Sequence, residues 1–131
     1  MDERIDKAIE KWRKILLMDD WDIEWKFDDS LGVDGQVRTH PNEHEAIIRF
    51  KVCVSDYKDE ALERLVAHEL LHAVLQPIDD YLDPWVKEYL PRSIAYPFIE
   101  YFNDIENRVI EDLLRILIRE GKDELPKTTS R

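Results

Sequence analysis

The chain has a single cysteine, Cys53, in 131 residues. It cannot form an internal disulfide, which fits a reducing compartment. No apolar stretch approaches the roughly 20 residues of a membrane span, and Met1-Asp2-Glu3-Arg4 does not open a signal peptide. These absences predict a soluble, cytoplasmic protein with no membrane partner. Basic residues are also scarce: 19 Lys and Arg stand against 30 Asp and Glu, a formal net charge of −11. That balance argues against nucleic acid as a partner, because phosphate binding relies on Lys and Arg. It weakly favours neutral or basic peptides as substrates. Internal repeats and low-complexity tracts are absent too.

What is present suffices for one hydrophobic core. Hydrophobic residues make up 44% of the chain and include four Trp, so the charge does not imply disorder. A single domain is expected over residues 1–120, with 121–131, polar and aperiodic, as a flexible tail. Cys53, inside the strand-like run Val52-Cys53-Val54, is expected to be a small buried apolar residue.

The most informative segment is His68-Glu69-Leu70-Leu71-His72. Residues four apart on a helix point to nearly the same side, so both imidazoles can reach one metal ion. The carboxylate beside the first is placed to take a proton from a water at that ion. Two His, a further ligand and an open water position make a catalytic zinc site rather than a structural one. The surrounding sequence supports this. Glu60 to Gln76 contains no Gly, Pro or Asn; Asp56 or Asp59 can cap its start, and Pro77 is expected to stop it. Its apolar residues spread over more than one face, as in a core helix, where three adjacent polar side chains are costly to bury without partners. A metal ion offsets that cost for both histidines. The plainer alternative is a partly exposed helix whose histidines bond nearby acids.

Around this helix the pattern predicts an α+β fold. Asp2 to Met18 reads as an amphipathic helix with Ile5, Ala8, Ile9, Trp12, Ile15 and Leu16 on one side. Trp21 to Phe27 alternates apolar and charged residues as a half-buried strand does. Asp34-Gly35 is a turn signal before a second strand, Gln36 to Thr39, and Ala46 to Val54 is the third. A proline-rich connection with Pro77, Pro84, Pro91 and Pro97 follows, with a short helix from Trp85 to Leu90 after the Asp83-Pro84 cap signal. A long helix then runs from about Pro97 to Glu120, its core face marked by Phe98, Phe102, Ile105, Val109, Leu113, Ile116 and Leu117, and Gly121 ends it.

No histidine follows His72, and no cysteine either, so a downstream third ligand must be a carboxylate. Glu106 is the candidate because Phe102, Val109, Ile110 and Leu113 place it within the apolar stripe. The alternatives are a buried Glu106 paired with Arg108, Arg92 or Arg49, and an upstream ligand from His40 or His44 in the hairpin connection.

On these residues the chain resembles the gluzincin metallopeptidases, in particular the minimal one-domain minigluzincins and the short phage-type metallopeptidases related to them. The resemblance rests on the five-residue signature, on the run from Glu106 to Leu114, and on the order helix, three-stranded sheet, metal helix, glutamate helix. It extends from about Trp12 to Ile118, and only the signature is highly specific. It implies a zincin-like fold, Zn2+ held by His68, His72 and Glu106, and Glu69 as general base in a metallopeptidase acting on a peptide or protein. It also implies that substrate adds as a strand to the segment just before the metal helix, here Ala46 to Val54. The family's acid four residues after the zinc glutamate is replaced by Ile110, which leaves Asp104, Asp79 and Asp80 as candidates to orient a histidine. A tyrosine to steady the oxyanion would come from Tyr81, Tyr89, Tyr96 or Tyr101. The competing expectation is a latent, zinc-stabilised binding module in which the 77–97 segment lies across the cleft.

Overall fold

A computed structural model describes residues 2–123 and has an α+β architecture of three α-helices and one small sheet. The chain gathers into two compact units, Met1–Leu82 and Asp83–Arg131.

The first unit opens with α1, Glu3–Ile15, whose N-terminus is capped by the Asp2 carboxylate accepting from the Arg4 amide. Its apolar stripe is Ile5, Ala8, Ile9 and Trp12, all buried. Three strands follow: β1 (Asp22–Phe27), β2 (Gly35–His40) and β3 (Glu45–Phe50). They assemble in the order β1-β3-β2, with β3 parallel to β1 and antiparallel to β2. The alternation expected for β1 holds, and the register aligns Trp25, Ile48 and Val37 on the sheet's buried face, then Phe27, Phe50 and Gly35. Indole nitrogens tie the layers together. The Trp25 indole N–H donates to Asp6 on α1 at 2.7 Å, and the Trp12 indole N–H donates to Glu63 on α2 at 2.8 Å.

The third strand is shorter than its sequence suggests. Beyond Phe50 both neighbouring strands have run out of pairing positions: Lys51 N–H donates to the Asp34 carbonyl and Val52 N–H to the Asp29 carboxylate. Without a ladder the chain coils into a 3-10 turn, Val52–Asp56. Val54 stays buried, but Cys53 is exposed, contrary to the expectation for a strand interior.

The metal-signature helix, α2, spans Asp59–Tyr89 and does not stop at Pro77. The region read as a proline-rich connection with a separate short helix is therefore helical through both Pro77 and Pro84. Each proline removes one amide donor and strains a turn, by about 3 kcal/mol in isolated helices. The surrounding sequence has no glycine, and buried Leu70, Leu71 and Ala73 precede Pro77 while buried Val86 follows Pro84. Packing on either side offsets the local cost.

In the second unit, α3 covers Arg92–Asp123 with Pro97 inside it. Gly121 does not end it, since one glycine costs a helix only about 1 kcal/mol. The remainder of the expected tail, from residue 124, lies outside the described residues. The core line of α3 is Ala95, Glu106, Ile110 and Leu114; Phe98, Ile105, Val109 and Ile116, expected on that line, are exposed. More than half of this helix's circumference is apolar, so periodicity alone leaves its rotation open by about one residue. No described helix is long and apolar enough to cross a membrane.

Candidate metal centre

Four segments of the first unit position the signature. Arg4 at the start of α1 donates to the carbonyls of Ser55 and Tyr57, both at 2.8 Å, and to Asp59 at 2.9 Å. One guanidinium thus joins α1, the 3-10 turn and the first residue of α2. Asp34, just before β2, accepts a hydrogen bond from the Tyr57 hydroxyl. That bond, reinforced by burial, pushes the Tyr57 phenol up to about 12, so it remains a donor at any physiological pH. The start of β2 is thereby fastened to the entry of α2.

On α2 the positions around the signature are buried almost without interruption: Val66, Ala67, Leu70, Leu71 and Ala73. His68 and His72 are half-buried within this stretch. Their rings meet edge to face, centroids 4.8 Å apart and planes at 68°. Two imidazoles one turn apart thus sit together on one side of the helix.

Glu69 is buried, only 6% exposed. Burial pushes its carboxyl from the ordinary 4.5 up to about 7, because the low-dielectric surroundings penalise the charged form. The carboxylate lies against the start of β2, where a methyl group built on Gly35 would stand 3.4 Å from Glu69 Oε2, from Leu65 and from Phe50. In the sequence Asp34-Gly35 is a turn signal. The signal that could have found it is a glycine heading a strand, which marks a close approach of another group.

Glu106 lies in the second unit, on the core line of α3, at 8% exposure. Glu69 and Glu106 are the only charged residues among the described ones that are buried. Arg49, one alternative partner for Glu106, is bound to Asp28 and Gln36 within the first unit.

The competing histidines belong to the far end of the β2–β3 hairpin. His40 pairs with Glu45, and Gly35 with Phe50, so His40 lies roughly 16 Å along the strand from the end that meets Glu69. His44 stacks on Trp21 at 5.2 Å, and its Nδ1 lies 2.7 Å from Asp20. Within the first unit no third His, Cys, Asp or Glu is gathered with the two imidazoles as a ligand set among the described residues. The four candidate tyrosines, Tyr81, Tyr89, Tyr96 and Tyr101, are all exposed on their helices. Asp80 accepts from Gln76 at 2.9 Å on the surface.

The chain has no match among family models, curated proteins or solved structures.

Proposed function

We propose that the chain is a zinc-dependent metallopeptidase of the gluzincin type with a zincin-like fold. The observation that supports this most is the paired imidazoles of His68 and His72 beside the buried carboxylate of Glu69. The proposed donor set is two imidazoles from one helix, with Glu106, the only buried carboxylate described in the second unit, as the third ligand. When bound, zinc acts as a Lewis acid toward a carbonyl and brings the pKa of water from 15.7 toward about 7.

The chain's own residues do the rest. Glu69 accepts the proton of the attacking water and passes it to the leaving amide nitrogen. The strand expected to receive substrate changes. β3 is the central strand and both its edges are taken, whereas β2 is an edge strand that begins at Gly35 against the Glu69 carboxylate. We place the substrate backbone along β2, where strand addition would bring it past the general base.

Incubation with a mixed peptide library, read by mass spectrometry, tests this. Cleavage that needs zinc and stops with chelator is expected. Gly35→Val, which crowds Glu69 and the head of β2, should slow cleavage by about tenfold or more with zinc content unchanged. A library left intact by the zinc-loaded chain refutes the peptidase reading, and full activity in Gly35→Val refutes the placement along β2.

A further inference from the structure

The second unit exposes an apolar stripe that the proposed chemistry does not use. Ile94, Phe98, Tyr101, Ile105, Val109 and Ile116 recur at spacings of three, four and seven along α3, so they share one side of the helix. Their exposure runs from 37% at Ile105 to 65% at Tyr101. Single exposed apolar residues are ordinary, but a line of six, interrupted by the exposed Asp112, marks an interaction surface.

We infer that this stripe is the interface of an antiparallel homodimer in which α3 pairs with α3 of a second copy. The inference does not depend on the zinc site. Two features of the stripe select a second copy as the occupant. The first is its self-complementarity about Ile105. With a two-fold axis there, Ile105 meets its own copy, Tyr101 meets Val109 and Ile94 meets Ile116, while Phe98 falls level with Asp112, between Val109 and Ile116.

The second feature is the charge on one flank. Glu100, Asp104 and Arg108 follow one another at intervals of four beside the stripe and are exposed. A two-fold axis across antiparallel helices brings like flanks together in reversed order. Arg108 of one copy then falls level with the turn between Glu100 and Asp104 of the other, and the same contact occurs twice. Two copies joined along the stripe remove on the order of 1,000 Å² from water, about the smallest area at which specific interfaces are found.

The test is sedimentation equilibrium of the full chain over a range of concentrations, with its 15.7 kDa mass as reference. A dimer of twice that mass is expected, and Ile105→Glu should return it to monomer with an unchanged far-ultraviolet circular dichroism spectrum. Arg108→Glu should weaken dimerisation by about tenfold through its two symmetry-related contacts, and adding Glu100→Arg with Asp104→Arg should restore it. A wild-type chain that stays monomeric overturns the inference, whether labelling of Tyr101 finds the stripe bare or covered by another part of the same chain. So does a dimer that survives Ile105→Glu. A dimer weakened by Arg108→Glu but not restored by the reversed charges overturns the antiparallel arrangement.

Discussion

Glu69→Gln is expected to reduce peptide hydrolysis by about a thousandfold and at the same time to stabilise the metal-free protein at alkaline pH. The two effects share one cause. Glu69 sits where burial disfavours its charge, so its carboxyl titrates at about 7 in the folded chain and near 4.5 when unfolded. The native state therefore binds the proton more tightly than the unfolded state does. Its stability contribution is fully present below pH 4.5, fades between pH 4.5 and 7, and is lost above pH 7. At pH 8 the charged carboxylate costs the fold on the order of 3 kcal/mol. Glutamine keeps the shape and carries no charge, so it escapes that cost but cannot accept a proton. Urea denaturation of the chelated proteins at pH 8 and pH 4.5 should show Glu69→Gln the more stable at the first and little different at the second. Equal stability at both would mean that Glu69 is not confined as the structure shows.

Trp12→Ala is expected to destabilise the chain by about 3–5 kcal/mol, a large part of a domain's total stability of roughly 5–15 kcal/mol. The indole is fully buried on α1, and its N–H donates to Glu63 on α2, which Lys11 also reaches at 2.7 Å. Truncation removes the largest buried side chain of the first unit and one donor from a half-buried carboxylate, two costs that add. Trp12→Phe should recover most of the volume and lose only the hydrogen bond, about 1 kcal/mol. Denaturation midpoints of the two variants check this. A loss below about 1 kcal/mol in Trp12→Ala would contradict the packing of α1 described above.

The strands and the first helix were legible in the sequence because one face of each is wet and the other dry. In Trp21 to Phe27 every second residue is charged, and the burial of β1 follows that alternation. The signature helix was equally plain, as was Glu106 within an apolar stripe. The misreadings have physical causes. Val52-Cys53-Val54 has strand composition but no neighbour left to pair with, and strand limits are set by partners elsewhere in the chain. Pro77 and Pro84 are local stop signals overridden by packing on either side. In α3, apolar residues cover too much of the surface for periodicity to fix its rotation, so Phe98 and Ile105, on the expected core face, are exposed. The central place of β3 was not legible because it depends on a parallel pairing with β1 across the intervening β2. Gly35 beside Glu69 is a product of that same topology.

The central claim is that His68, His72 and Glu106 hold one zinc ion, and elemental analysis of the purified full chain tests it most directly. Close to one zinc per chain is predicted for the wild type and for Glu69→Gln, and far less for His72→Ala and Glu106→Ala. A wild-type chain that takes up no zinc when it is offered, or a His72→Ala chain that retains it, would contradict the account.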